Sequence, residues 1–243
     1  MPRQSRSIRV GCCGFAMAQE AYFRAFNCVE INSSFYQLPR RETAARWRAS
    51  APESFAFALK AWQVITHPAS CPTYRRTRLD PDDRDHCGSF RANATVRWAW
   101  DETFAIAQTL QAILVLFQCP ASFRPNRENL ANFRRFFETA KRGKFHLGWE
   151  PRGDDWTPEL IAALCRELDL IHVGDPLQSP AVVNNQLQYF RLHGLAGSRS
   201  RYAPADLLRL KDLCRGRLPV YCLFNTVAMA PDAQRFLQVL DAP

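Results

Sequence analysis

Eight short apolar runs, helical patterns between them, and polar residues that end the runs in a common parity predict a (β/α)8 barrel. This is the TIM-barrel architecture, here in a single domain spanning 1–243 with an insertion after strand three. The strand-like runs are Ile8–Cys12, Cys28–Ile31, Phe55–Leu59, Ala112–Phe117, Phe145–Trp149, Leu170–Val173, Tyr189–Leu192 and Val220–Phe224. Between them Leu130, Phe133, Phe136, Phe137 and Ala140 recur at helical spacing behind Asn126, a candidate cap. Thr157-Pro158 reads as a cap followed by a first-turn proline, ahead of Leu160, Ile161 and Leu164. Ala233, Phe236, Leu237 and Leu240 form the last apolar stripe. No shift of composition marks a linker, which favours one barrel over two smaller domains. The rhythm breaks at Ala61–Trp100, whose Arg- and Asp-rich stretch from Tyr74 to His86 is too polar for core and too long for an ordinary connection. It reads either as a lid or as a solvated excursion bracing the barrel.

Parity tests the barrel independently of the helices, because alternate strand residues face the same way. Glu30 and Asn32 share a face while Val29 and Ile31 oppose them; Glu150 and Arg152 share one against Leu147 and Trp149. Arg191 and His193 follow Tyr189, Lys60 extends the small-residue line of Ala56 and Ala58, and Asn225 ends strand eight. Charges so close to apolar strands must be paired or reach water, so they are expected to meet at the C-terminal mouth, where barrels carry their active sites. The alternative is a buried salt-bridge layer in which Arg152, Arg191 and Lys60 neutralise Glu30 and Glu150.

Composition limits the partners. Of 243 residues, 47% are hydrophobic and 23% charged, enough apolar content for a sizeable core and too much for a disordered chain. The net charge of +9 is carried almost wholly by arginine, the lysines being Lys60, Lys141, Lys144 and Lys211, and such a surface attracts phosphates, acidic ligands or nucleic acid. No run approaches a membrane span and the first nine residues are polar and basic, so a cytoplasmic protein is expected. Nine cysteines without a CxxC pair fit reduced thiols; Cys12 and Cys13 are read as packing or reactive, Cys71 and Cys87 as free or as a metal or disulfide brace beside His86. No P-loop or GxGxxG is present, which argues against the usual nucleotide cofactors, and the sequence names no cofactor or metal.

Several strings together resemble the YecE-like family, a domain of unknown function. They are Gly11-Cys-Cys-Gly14, Val29-Glu-Ile-Asn-Ser-Ser-Phe-Tyr36, Phe57-Ala-Leu-Lys-Ala-Trp62 running to Ile65-Thr-His67, Trp149-Glu-Pro-Arg152, Tyr189-Phe-Arg-Leu-His-Gly194 and Phe224-Asn225. The resemblance covers essentially the whole chain and implies the same barrel, with no established activity. The family's first motif carries a tryptophan where this chain has Phe15, and its last carries two asparagines where this chain has Asn225-Thr226. The stretch Ala61–Pro68 continuing to Arg76 resembles an archaeal-type branch, which makes Ala61–Trp100 a subfamily insertion.

Two functions follow as expectations. The first is an enzyme doing acid/base chemistry, hydrolytic or isomerising, on a small anionic, phosphate-bearing substrate. In it Lys60, Arg152 and Arg191 grip the anion, Glu150, His193 and Glu30 transfer protons, and Asn32, Tyr36, His67 and Asn225 orient. The second is a barrel that binds or processes nucleic acid, with aromatic residues stacking an exposed base.

Overall fold

Eight strands close a barrel in sequence order: β1 (Ile8–Cys12), β2 (Cys28–Ile31), β3 (Ala56–Lys60), β4 (Leu114–Gln118), β5 (His146–Glu150), β6 (Ile171–Gly174), β7 (Gln188–Leu192) and β8 (Val220–Phe224). The computed structural model describes residues 8–180 and 186–242. Helices follow as α1 (Gln19–Ala25), α2 (Arg41–Ser50), a short α3 (Gln63–Thr66), α4 (Ala94–Leu110), α5 (Arg127–Thr139), α6 (Pro158–Glu167), α7 (Pro204–Leu213) and α8 (Met229–Asp241). Among the described residues no helix lies between β6 and β7, where a (β/α)8 rhythm calls for one. Asp175 instead folds a tight turn there, accepting from the backbone N–H of Leu177 at 3.1 Å.

Four strands end later than their apolar runs suggested. The ladder continues through the polar residue that terminates each run, as Lys60 pairs with Leu116 and Gln118 with Glu150. Hydrophobicity marks where a strand is buried, whereas backbone pairing fixes where it stops, and here the two differ by a residue or two.

The chain divides into two compact units. One gathers β1, α1, most of β2, β6, β7, α7, β8 and α8. In it the Tyr22 hydroxyl accepts from the Cys12 N–H at 2.7 Å and donates to the Cys28 carbonyl at 3.0 Å, tying β1 to β2 from beneath. The other gathers α2, most of β3, α3, α4, β4, α5, β5 and α6. Its β4 residues Leu114–Phe117 are fully buried, as expected for a parallel strand covered on both faces. Phe133, Phe136 and Phe137 of α5 surround Phe117 and Phe90 at ring-centroid distances of 5.1–6.1 Å. Truncating a ring in such a cluster costs about 3–5 kcal/mol. The expected caps form: Asn126 Oδ1 accepts from the Asn129 N–H at 2.8 Å and Thr157 Oγ1 from the Leu160 N–H at 3.3 Å.

The insertion is shorter than the sequence suggested. Asn93 caps α4, its Oδ1 accepting from the Val96 N–H at 2.9 Å, so 94–100 are the first turns of a barrel helix. What remains folds back on α3, which is wholly buried. Gly88, Ser89 and Phe90 donate to the carbonyls of Val64, Thr66 and Ile65 at 2.8, 3.2 and 2.9 Å. This return requires three consecutive left-handed residues, with φ of 85°, 53° and 54°. At Gly88 a Cβ would also lie 2.4 Å from the His67 carbonyl carbon and the Pro68 nitrogen.

Gly197 offers a control, having φ of 90° but nothing within 4 Å of a built Cβ. Gly197→Ala should cost about 1 kcal/mol for the dihedral alone, whereas Gly88→Ala should lower the melting temperature clearly further. Equal losses in thermal unfolding would show that the close approach at Gly88 carries no energy of its own.

Candidate functional site

In the first unit the strand ends hold a buried ion pair. Arg191 donates from Nε to Glu30 Oε2 at 3.0 Å and from Nη2 to Oε1 at 2.8 Å, a fork-to-fork geometry. The Tyr189 hydroxyl donates to Glu30 Oε2 at 3.0 Å. Burial, and next the negative charge of Glu30, push the Tyr189 phenol well above its ordinary range, so it stays a donor. Neither Glu30 nor Arg191 has any solvent-accessible surface. Cys13 completes the group; burial and then Glu30 raise its thiol, and burial takes Cys12 up to about 12, so both cysteines belong to the packing.

One residue beyond the end of β7, His193 is fixed from three sides. Its backbone N–H donates to Asp175 Oδ2 at 3.0 Å, its Nε2 lies 3.4 Å from Arg191 Nη1, and its Nδ1 lies 3.2 Å from the Asn225 amide. A guanidinium only donates, so Arg191 meets Nε2 as a donor, while the Asn225 amide nitrogen faces Nδ1. The next residue, Gly194, has φ of 84°, and a Cβ there would meet the Gly197 carbonyl oxygen at 2.4 Å. Thr226, where the resembled family has a second asparagine, is buried and its Oγ1 has no hydrogen-bond partner among the described residues.

In the second unit ionisable side chains stand at the ends of β3 and β5. The Lys60 ammonium lies 3.9 Å from the centroid of the Phe35 ring, and Ser34 Oγ donates to the Lys60 carbonyl at 2.6 Å, so a 3-10 turn at Ser33–Phe35 is clamped to β3. His67 stands edge-on to Phe35 at 4.8 Å, with Nδ1 2.7 Å from Thr66 Oγ1. Burial first, and the Lys60 charge second, hold His67 down at about 3. Glu150, nearly without solvent contact, pairs with the half-exposed Arg152. Tyr36 carries the Arg76 guanidinium 3.8 Å above its ring. Two buried polar atoms here, Asn32 Oδ1 and Trp62 Nε1, have no hydrogen-bond partner among the described residues.

The sequence-predicted residues therefore fall into two groups: Glu30, Arg191, His193 and Asn225 in one unit, and Asn32, Tyr36, Lys60, His67, Glu150 and Arg152 in the other. Asp175 and Arg76 were missed. Asp175 had a signal, since it follows the apolar strand Ile171–Gly174 in the parity of Val173; Arg76 had none beyond its place in a basic stretch. Cys71 and Cys87 are free thiols, with Tyr74 rather than a disulfide securing this segment by donating to the His67 carbonyl at 2.9 Å. Among the described residues no group of three or more His, Cys, Asp or Glu is placed to hold a metal ion. Among them, too, no helix is long and apolar enough to cross a membrane.

A closed eight-stranded barrel with ionisable side chains at the C-terminal strand ends defines a (β/α)8 protein of the kind that carries its chemistry there. The chain belongs to the DUF72 family: the model described as "Protein of unknown function DUF72" matches residues 17–243. It is 43% identical over 51 residues to UPF0759 protein YecE of Escherichia coli K12 (21% of this chain, 19% of that protein). It is 27% identical over 116 residues to UPF0759 protein YunF of Bacillus subtilis 168 (47% and 36%), so the matches span well under half of either relative. The crystal structure of a DUF72 family protein from Enterococcus faecalis V583 is similar at TM-score 0.70 and 19% identity, covering 98% of this chain and 99% of that one. A xylose isomerase domain containing protein from Salmonella typhimurium LT2 (TM-score 0.60, 11% identity, 96% and 97% covered) shares the fold. So does endonuclease IV from Thermus thermophilus (0.59, 12%, 96% and 97%).

Two outcomes test the geometry. Removing one partner of the buried pair, by Glu30→Leu or Arg191→Met, should cost about 3–5 kcal/mol, and the double variant should be less destabilised than the sum; additive losses in denaturant unfolding would mean the pair is not coupled. His67 is neutral in the fold at about 3 against 6.5 unperturbed, so between these values the unfolded chain binds a proton that the native chain excludes. Stability should fall as pH drops through that window, and His67→Gln should flatten the slope of melting temperature against pH. An unchanged slope would refute this.

Proposed function

We propose that the protein is an enzyme doing acid/base chemistry, hydrolytic or isomerising, on a small substrate that carries a phosphate or carboxylate, bound at the ends of β3 and β5. The observation that carries the reading is the buried Lys60 ammonium, which rests on the Phe35 ring and adds its charge to the burial that keeps His67 neutral. An anion bound beside a buried ammonium interacts strongly with it, because the low dielectric screens the pair little. Lys60 and Arg152 are the ligands in this reading, while Asn32 Oδ1 and Trp62 Nε1 supply an acceptor and a donor for the rest of the substrate. Glu150, the buried carboxylate that pairs with Arg152, is the proton acceptor in this reading. Tyr36 and neutral His67 orient. In the other unit His193, held between Arg191 and Asn225, has the chemistry of a proton carrier in its own right, and we give Glu30 and Arg191, which have no solvent-accessible surface, a structural role.

Thermal unfolding with inorganic phosphate and with a sugar phosphate tests this. Saturable stabilisation is expected, about 2.7 kcal/mol at a ligand concentration one hundred times Kd. Lys60→Met, which keeps the stem over Phe35, should abolish it. No stabilisation at tens of millimolar phosphate, or an unchanged effect in Lys60→Met, would overturn the reading.

A nucleic-acid reading has its own observation in the Arg76 guanidinium stacked on Tyr36, within a segment that also carries exposed Arg75, Arg91 and Arg97. Under it, fluorescence anisotropy with a single-stranded oligonucleotide shows binding that falls steeply with salt and weakens in Arg76→Ala. No binding at low salt removes it.

A further inference from the structure

A cavity of about 420 Å³ opens on the outer side of the second unit, between α4 and α5, away from the strand ends described above. Its size falls in the range of small-molecule sites, roughly 300–1,000 Å³. The floor is aromatic: Phe90 lies 5.3 Å and Trp100 6.0 Å from Phe136, centroid to centroid. Trp100 is 3% exposed, and its indole N–H has no hydrogen-bond partner among the described residues. A buried donor left unsatisfied in this way is uncommon and calls for an acceptor.

Above this floor the rim is cationic. Arg91, Arg97 and Arg135 line it together with Lys141. Among the described residues lining it, Asp101 is the one acid, and it is already engaged by Lys141 at 2.8 Å. The first turn of α4 also lines the cavity and brings the positive end of a 17-residue helix to it. One wall is the strained return of the insertion, where Ser89 and Phe90 are both left-handed. Paired left-handed residues without glycine persist only when the surroundings over-determine them, and they cluster at ligand clamps. Here the strain turns Phe90 into the floor and Arg91 onto the rim.

We propose that this cavity is a binding site for an amphipathic anion: a flat apolar body lies against Phe136 and the accessible edge of Trp100, backed by the buried Phe90, and its carboxylate or sulfonate is held by Arg97 and Arg135. The aromatic floor selects the planar body, and an acceptor on that body takes the Trp100 N–H. The rim selects against neutral and cationic analogues. Phosphate alone, without an apolar body, gains nothing from the floor, so this site and the one at the ends of β3 and β5 take different ligands.

Calorimetric titration of the full chain with naphthoate tests this, with naphthalene methanol as the neutral isostere. One saturable site is expected, at least about tenfold weaker for the alcohol, with Arg97→Glu and Arg135→Glu each weakening naphthoate about tenfold or more, as for loss of a charge-assisted contact. Both arginines are exposed, so these variants should fold. The Trp100 side-chain N–H resonance, identified by its loss in Trp100→Phe, should shift on titration. Lys60→Met should leave naphthoate binding unchanged, which separates this site from the proposed phosphate site. No binding at millimolar naphthoate, equal binding of the alcohol, or indifference to both arginine reversals would overturn the proposal.

Discussion

A guanidinium with no access to water has to be answered inside the protein, and the answer given to Arg191 by Glu30 organises the strand ends around it. The fork-to-fork pair uses both oxygens of Glu30, and Tyr189 takes a remaining lone pair. Because Glu30 is on β2 and Arg191 on β7, the pair fixes which face of each strand turns inward, and a slip of one residue in either strand would leave a bare charge among apolar side chains. His193 inherits its ring geometry from the same pair, since it stands two residues beyond Arg191 and receives a contact from the outer edge of that guanidinium.

Charge is handled differently around Lys60. The ammonium rests on the Phe35 ring, and its charge adds to the burial that holds His67 neutral beside it. Glu150 and Arg152 share an ion pair of which one partner reaches solvent. Arg191 is sealed from water, whereas Arg152 remains open to it. That contrast is why the functional reading rests on Lys60, Arg152 and Glu150.

Much of this was legible in the sequence. Strand parity put Glu30 with Arg191 and Tyr189 on one face because period-two alternation is a property of the backbone, independent of what the side chains meet. The caps at Asn126 and Thr157 were legible for the same local reason. Three features were not. The start of α4 at Ala94 was hidden because Asn93 sits in a polar stretch that looks like more loop. The described turn after β6, where a helix was expected, is built on a single carboxylate, Asp175, that joins the nearby Leu177 N–H to the distant His193 N–H. The sharing of the Glu30 oxygens between Arg191 and Tyr189 depends on three-dimensional placement that parity does not reach.

The stitched return at Gly88–Phe90 sets how fast anything near α3 can exchange. Three backbone hydrogen bonds join it to Val64, Ile65 and Thr66, and Phe90 is wedged among at least five other aromatic rings. Swinging this segment away as a flap means breaking that ladder and drawing a phenyl ring out of the core, an event on the timescale of local unfolding. Side-chain rotation is far quicker, and Arg76 lifting off Tyr36 moves a charged arm without disturbing any of it. Fast motion on this side of the barrel therefore falls to side-chain rotamers, on the nanosecond scale, while the backbone of the insertion stays a fixed wall.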